Sequence, residues 1–294
     1  MRCTLHGNGG SVIARVLPFD RVAVLAAMLW LALLQVAFAQ DEKAAGQEVN
    51  AESAAESPGG QSVEQAANDP TASLLSVQIQ DNYTASYHNL DDENGNTILL
   101  RSAIPFKTGS LNHIARVTLP IITNSPSGES GLSDLTLFDL IVFNESWGRW
   151  GVGPVMLVPT ASDEALGAEK WALGPAVGFT IPHNKFLFGV FNQNLFSFAG
   201  DDDRKDVNIS SVQPIVNYSL PHKWSIGTSE MNFTYDWESD AWTNLPLGGK
   251  VSKLAKIGKV PAQFSTSFEY NFADDRVAPE WTINFSLKLL FPLK

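Results

Sequence analysis

Side chains able to do acid–base chemistry are scattered along this sequence. The histidines His88, His113, His183 and His222 lie far apart, and none has the spacing of a two-histidine metal helix. A serine hydrolase needs a serine, a histidine and an orienting polar group close together, and only His88 lies in a segment suited to that. The one cysteine, Cys3, excludes internal disulfides, thiol catalysis and a cysteine-bound metal. We therefore predict no enzyme and no catalytic residues.

One short motif has the residue types of a calcium loop. Asp92, Asn94 and Asn96 place oxygen ligands at alternate positions, as a hard cation requires. Downstream, Thr97 stands where the loop needs glycine and Ala103 where it needs a bidentate glutamate. The Asn-Gly pair inside the motif is instead a strong hairpin turn. We predict no metal site and no cofactor.

The amino-terminal segment predicts export. Three arginines precede an apolar run, residues 22–38, and this run closes with Ala-Phe-Ala. The run is shorter than the roughly 20 residues of a spanning helix, so residues 1–39 are expected to be a signal peptide cleaved after Ala39. Translation from Met28 would spoil that signal. Its removal takes three arginines and one aspartate from a chain of net charge −11, leaving −13, so nucleic acid is an unsuitable partner.

Residues 40–72 have the composition of an acidic, alanine-rich leader. The segment has no aromatic residue and hardly a branched aliphatic one, so it cannot bury enough apolar surface to order itself. We predict that it is disordered in the periplasm. The alternative, a helical plug, is disfavoured because no apolar face recurs at helical spacing.

From Leu74 onward apolar and polar residues alternate. The pattern is clearest in the last segment, where Trp281, Ile283, Phe285, Leu287, Leu289 and Phe291 alternate with Thr282, Asn284, Ser286 and Lys288. A period of two with one apolar and one polar face is typical of a membrane strand.

Turn signals divide this region, residues 73–294, into twelve such segments. They are 76–87, 97–106, 111–123, 132–143, 150–160, 170–181, 186–198, 207–219, 224–236, 242–252, 258–272 and 281–291. One hairpin more or fewer remains open. The fold class predicted is all-β, an antiparallel up-and-down transmembrane β-barrel of about twelve strands.

The connections between these segments alternate in character. One set is short or basic, and the other is longer and acidic, including His88 to Asn96 and the aspartates 201–203. Short turns of such barrels face the periplasm and long loops face outside. With an even number of strands, both termini are expected in the periplasm.

Tryptophans fall within a few residues of the predicted strand ends. They are Trp147, Trp150, Trp171, Trp224, Trp237, Trp242 and Trp281. Indoles favour the headgroup level, so this placement predicts aromatic girdles and favours a barrel over a soluble β-sandwich.

Charged residues also fall on the predicted inner face. They are Arg101, Arg116, Asp134, Glu230, Glu269 and Lys288. Mixed charge inside a barrel either lines a polar conduit or forms a paired network that fills the interior, and both alternatives remain open.

Four phrases resemble a known family. They lie at residues 147–154 (Trp-Gly-Arg-Trp-Gly-Val-Gly-Pro), 170–176, 191–200 and 224–227. They are similar to the outer-membrane proteins named for the meta-pathway of phenol degradation, whose members are often labelled transporter or neuromedin U. The resemblance covers nearly all of residues 72–294. It implies a barrel that helps small compounds, aromatic or hydrophobic ones included, across the outer membrane.

The predicted function is passive uptake of a small solute through an outer-membrane barrel of a Gram-negative bacterium. The alternative is a structural or adhesive barrel whose acidic loops meet partners or divalent ions. The expected partners are outer-membrane lipid, a small-molecule solute and the barrel-insertion machinery. That machinery recognises a terminal strand ending in an aromatic residue, and here Phe291 is followed by three further residues.

Overall fold

A computed structural model describes residues 56–57 and 61–291. The predicted signal peptide, residues 1–39, and the leader up to residue 55 lie outside the described residues. Among the described residues, no helix has the length and apolar character to cross a membrane.

Twelve antiparallel strands form one closed barrel, as the alternation predicted. The strands are β1 (Leu75–His88), β2 (Gly95–Thr108), β3 (Leu111–Asn124), β4 (Leu135–Glu145), β5 (Gly148–Val158), β6 (Lys170–His183), β7 (Phe186–Gly200), β8 (Asn208–Ser219), β9 (Trp224–Thr228 and Phe233–Asp236), β10 (Ala241–Asn244 and Pro246–Ile257), β11 (Val260–Asn271) and β12 (Ala278–Phe291).

Each strand pairs with its neighbours in sequence, and β12 closes the barrel onto β1. This last pairing joins Leu287 to Ile79 and Phe291 to Leu75. Closure pairs the first and last strands of this twelve-strand sheet, as any β-structure that lies in lipid requires. A short pair, Gly131–Leu132, adds to β3 just before β4 begins.

Connections of different length fall at opposite ends of the barrel. One end, the turn end, carries two-residue turns at 109–110, 146–147, 184–185 and 258–259 and a four-residue connection at 220–223. Gly109 and Asn184 take the left-handed φ that tight hairpins need, 60° and 54°. The other end, the loop end, carries the longer connections 89–94, 125–134, 159–169, 201–207, 237–240 and 272–277. The predicted alternation of short and long connections is confirmed; their orientation across the membrane stays a prediction.

The outer face of the barrel is apolar. Val77 and Ile79 of β1 are 49% and 47% exposed, whereas the intervening Gln78 is 7% exposed. Exposed large side chains with the same outward phase continue around the wall, among them Leu100, Ile104, Val177, Phe179, Phe188, Val216, Val251 and Phe268. The period of two therefore orients the strands as the sequence predicted.

The inner face is polar on one side only. Along β1 the amide of Gln78 donates to Gln80 and that of Gln80 to Asn82, each at 2.8 Å. Along β3 to β8, however, the inward side chains form an apolar cluster: Ile114, Phe138, Leu140, Val142, Val155, Ala172, Ala176, Phe191, Leu195 and Ile215. These strands carry apolar residues on both faces, a feature that the predicted alternation did not include.

Residues 62–74 occupy the turn end of the barrel interior. A one-turn helix, α1 (Val63–Ala67), begins at Ser62, whose hydroxyl accepts from the backbone of Gln65 while the Gln65 side chain accepts from the backbone of Ser62. Ala66, Ala67, Ala72 and Leu74 pack against Leu254 and Leu290 of the inner wall. The expectation of disorder is wrong for residues 62–72: a capping box starts the helix, and the barrel supplies the apolar surface that the segment lacks.

Candidate site in the barrel lumen

The central charged contact of the lumen joins β2 to Glu230, which lies in the break between the two segments of β9. Arg101 Nη1 donates to both oxygens of Glu230, at 2.7 Å and 2.6 Å. Both side chains point into the barrel from opposite parts of the wall, so they meet although they lie 129 positions apart in the sequence. The side chains are only 12% and 30% exposed, so the pair is partly removed from water.

Arg116 of β3 lies beside this pair and has a different environment. Its guanidinium carbon is 5.1 Å from the centroid of the Phe138 ring. Its Nε is buried and has no hydrogen-bond partner among the described residues. Arg116 therefore contacts the apolar wall with one donor left unsatisfied.

Two lysines on the polar wall hold the end of helix α1. Lys288 Nζ donates to the carbonyl of Ala67 at 2.9 Å, and Lys250 Nζ donates to Asn68 Oδ1 at 3.1 Å. Cations at a helix carboxyl terminus are favourable because the free carbonyls there carry partial negative charge. Lys288 was predicted to face the lumen; Lys250 was missed, although it precedes Ser252 by two positions and shares its inward phase.

Of the remaining predicted charges, Glu269 borders this cluster through the backbone of Glu230, and Asp134 does not join it. Glu269 faces inward nearer the loop end, where it lines a separate cavity with Asn82, Thr84 and Asn244. Asp134 does not reach the lumen cavities: its carboxylate accepts from the backbone of Ala161 and Ala168 in the loop between β5 and β6. The prediction for Asp134 is corrected because β4 begins at Leu135, three residues later than expected, so Asp134 belongs to a loop.

The plug, defined as residues 62–74, is fixed by a buried ion pair. Asp69 Oδ2 accepts from Arg149 Nη2 of β5 at 2.6 Å, and the two side chains are 0% and 5% exposed. Thr180 donates to the same oxygen at 3.1 Å, and the Thr71 hydroxyl donates to Asp69 Oδ1 at 2.6 Å. Arg149 lies inside one of the family-like phrases, but nothing in the sequence indicated its partner.

Two adjoining cavities meet at Arg101, Arg116, Gln213 and Glu230. The outer cavity, of about 200 Å³, is also lined by Phe138, Leu195 and Ile209 and by polar residues that include Thr118, Thr136 and Ser211. The inner cavity, of about 110 Å³, is bounded by the plug residues Ala66 to Pro70 and by Lys250 and Lys288. The charged side chains shared by both cavities, Arg101, Arg116 and Glu230, are called the charged layer. This layer separates the larger outer cavity, toward the loop end, from the smaller inner cavity beside the plug.

At the loop end, charged residues bind one another. Lys170 Nζ lies 3.0 Å from Asp206 Oδ1, and the Ser197 hydroxyl donates to the same oxygen at 3.0 Å. These hydrogen bonds, with the Lys170 one the stronger cause, hold the pKa of Asp206 below its usual range. Within the described part of the chain, no group of three or more histidine, aspartate or glutamate residues is arranged to hold a metal ion.

The tryptophans lie at both ends of the barrel wall. The structure places Trp147, Trp150 and Trp224 at or near the turn end, and Trp171, Trp237, Trp242 and Trp281 at or near the loop end. Several stack on neighbouring aromatic rings, as Trp150 does on Phe143 with centroids 4.4 Å apart. Their depth in a bilayer stays a prediction.

Three solved structures that align with this chain are outer-membrane proteins. An outer membrane channel from Pseudomonas putida F1 aligns with a TM-score of 0.56 at 15% identity, covering 74% of this chain and 94% of that one. Outer membrane phospholipase A from Escherichia coli aligns at 0.39 and 10% identity, covering 74% and 92%, and the calcium-bound Salmonella typhi enzyme at 0.41 and 10%, covering 77% and 95%. The first similarity supports the fold.

No family model matches the chain. No curated protein matches it either. The resemblance to the phenol meta-pathway family therefore stays a prediction.

Proposed function

We propose that this protein is an outer-membrane channel for passive uptake of small apolar solutes, aromatic ones included. The observation that carries the proposal is the apolar inner wall of β3 to β8. Phe138, Leu195 and Ile209 of this wall line the outer cavity and offer an apolar solute a surface that a wholly polar lumen lacks. The resemblance to the phenol meta-pathway family and the channel among the similar folds both agree with it.

The outer cavity offers a place for such a solute. Cavities of about 150 Å³ lined by apolar side chains bind benzene, and this cavity has about 200 Å³ with Phe138, Leu195 and Ile209 in its wall. A solute entering from the loop end would meet the apolar wall first and then the charged layer. Beyond that layer the plug narrows the interior, so passage requires the solute to move past residues 62–74.

Uptake of a neutral apolar probe tests the proposal. Gram-negative cells producing the full chain are mixed with N-phenyl-1-naphthylamine, which an intact outer membrane excludes and which fluoresces once inside the membrane. We expect faster uptake than in empty-vector cells. Ser211→Trp fills the outer cavity and should return uptake to the vector rate, while Val216→Trp, on the outward face of the same strand, should not.

Two uptake results would contradict the proposal. If wild-type protein, shown to be folded and inserted, gives only the vector rate, the channel proposal is wrong. The structural or adhesive barrel with acidic loops then becomes the better proposal. Equal loss of uptake in both tryptophan variants would also contradict a route through the lumen.

A further inference from the structure

The cavities around the charged layer carry an excess of positive charge. Their lining cations are Arg101, Arg116, Lys250 and Lys288, and Glu230 is the one carboxylate in this lining that is not paired with a residue outside it. Asp69 also borders the inner cavity, but Arg149 neutralises it at 2.6 Å. Four cations facing one carboxylate leave a formal charge of +3.

Three of these cations lack an ion pair within the described part of the chain. Glu230 is bonded to Arg101 at 2.6 Å. In residues 61–291, no carboxylate lies within ion-pair distance of Arg116, Lys250 or Lys288. The two lysines are at least hydrogen-bonded to the plug. Arg116, like Arg101, retains a buried Nε without an acceptor among the described residues, but unlike Arg101 it has no ion pair there.

Arg116 also stands at the border between charge and apolar surface. Its guanidinium lies 5.1 Å from the Phe138 centroid, and Phe138, Leu195 and Ile209 form the apolar side of the same cavity. A ligand in this cavity would therefore place an apolar body on one wall and its head group among the cations. A neutral solute would leave the Arg116 donor unsatisfied, and a cation would be repelled.

We propose that the outer cavity binds an amphipathic anion: an apolar, single-ring-sized body carrying a carboxylate or sulfonate group received by Arg116. The planar guanidinium suits the two or three oxygens of such a group. This inference deepens the proposed function by naming a substrate class for the same lumen, and it rests on that function only for the step of uptake. Binding itself can be measured apart from transport.

Two permanently charged probes with the same ring distinguish the head group. Benzenesulfonate and phenyltrimethylammonium are titrated by calorimetry into the full-length protein refolded in a non-ionic detergent. We expect benzenesulfonate to bind at least tenfold more tightly than phenyltrimethylammonium. Binding should weaken as salt concentration rises because screening reduces the attraction.

Variants assign the binding to this cavity. Arg116→Gln should weaken benzenesulfonate binding at least tenfold, and Arg116→Lys should keep part of it. Lys185→Gln removes a charge from an exposed turn and should leave the affinity unchanged. If the glutamine variant does not fold, Ser211→Trp supplies the test, because it fills the cavity and leaves every charge in place.

The outcomes separate this inference from the uptake proposal. Equal affinity for the two probes, or full affinity in Arg116→Gln or in Ser211→Trp, would overturn the anion site. Uptake of N-phenyl-1-naphthylamine without benzenesulfonate binding would leave the channel standing and refute the site. Benzenesulfonate binding that depends on Arg116, in a protein that takes up no probe, would support the site and refute the channel.

Discussion

The charged residues of the lumen differ in how completely they are paired. Arg101 and Glu230 share two hydrogen bonds across the interior, whereas Arg116 lies beside them with no carboxylate at ion-pair distance among residues 61–291. The buried Nε atoms of both arginines lack an acceptor in that part of the chain. Removing one member of a partly buried pair leaves the other without compensation. The pair therefore holds β2 and β9 in fixed positions across the lumen.

A double-mutant cycle measures the Arg101–Glu230 contact. Arg101→Met and Glu230→Gln should each destabilise the barrel, and the double variant should lose less than the sum. We expect a coupling free energy of about 1.5–3 kcal/mol, the range for hydrogen bonds to charged groups. Urea unfolding of the four proteins refolded in lipid gives the value; additive losses would show that the two residues act independently.

The stability of the barrel should depend on pH through Asp206 at the loop end, and the lowered pKa of this residue gives the direction of the dependence. Because its pKa is lowered by Lys170 and Ser197, the carboxylate contributes stability above its unfolded pKa of about 3.9. That contribution is lost as pH falls through the lower, folded value. Asp206→Asn should thus lower the melting temperature at pH 7, and this difference should shrink as the pH is lowered to the acid end of the titration. A difference that persists at the acid pH would contradict the assignment.

At the scale of the strands, close contacts between β6 and β7 shape the apolar wall. Phe191 is 1% exposed, and its ring lies over Gly178: a Cβ built there would come within 2.6 Å of Phe191 Cδ2. The ring also packs on Phe138, with centroids 5.3 Å apart. The glycine is what lets the ring lie flat against the wall.

Gly178→Ala should therefore destabilise the barrel. Overpacking of this kind costs about 1–3 kcal/mol. Gly249→Ala is the matched control in β10, since a Cβ there would meet nothing closer than 3.8 Å. Urea titrations of both variants measure the difference, and equal stabilities would show that Phe191 can move aside.

The two faces of β12 give a second test at this scale. Leu287 lies on the apolar outer surface beside Ile79 and Leu100, while Ser286 lines a cavity with Lys250 and Lys288. Leu287→Glu should cost on the order of 1–2 kcal/mol, since a carboxylate on the lipid face costs less than the 2–4 kcal/mol of a basic residue. Ser286→Glu should cost less or stabilise, because cations surround it. The reverse order in urea unfolding would show that inner and outer faces are exchanged.

Sequence alternation predicted strands well where one face is polar. The twelve strands, the split between short turns and long loops and the inward phase of Arg101, Arg116 and Lys288 all follow from a period of two. Alternation could not predict the apolar inner wall. Strand β4 is largely apolar on both faces, and a continuous apolar run shows no period of two that would tell one face from the other. Which cation meets which carboxylate depends on strands far apart in sequence, as with Arg101 and Glu230.

At the scale of the whole molecule, the barrel and the plug complement each other. The plug lacks enough apolar surface to fold alone, and only the closed wall provides Leu254, Leu290 and Arg149 to pack and bind it. The sequence feature that marks the start of the plug helix is the capping box formed by Ser62 and Gln65. The alanine-rich, polar composition of the segment gave no indication of it. Occlusion of the turn end is thus a property of the assembled fold and of no single segment.

Releasing the plug should open the interior. Asp69→Ala removes the carboxylate that lies 2.6 Å from Arg149, whose side chain is 5% exposed, and removing one partner of a buried ion pair costs about 3–5 kcal/mol. The strands do not depend on Asp69 for their backbone hydrogen bonds, so the least costly response is for residues 62–74 to leave the lumen and for water to reach the guanidinium.

Single-channel recording of the refolded protein in planar bilayers measures this response. Asp69→Ala should conduct more than wild type, and Arg149→Met should do the same. The double variant should conduct no more than either single variant, because all three variants remove the same Asp69–Arg149 ion pair. Asp275→Ala removes the ion pair with the neighbouring Arg276 in the connection 272–277, away from the plug, and should match wild type. Unchanged conductance in a folded, inserted Asp69→Ala barrel would mean that the helix contacts of Lys288 and Glu64 hold the plug without the ion pair.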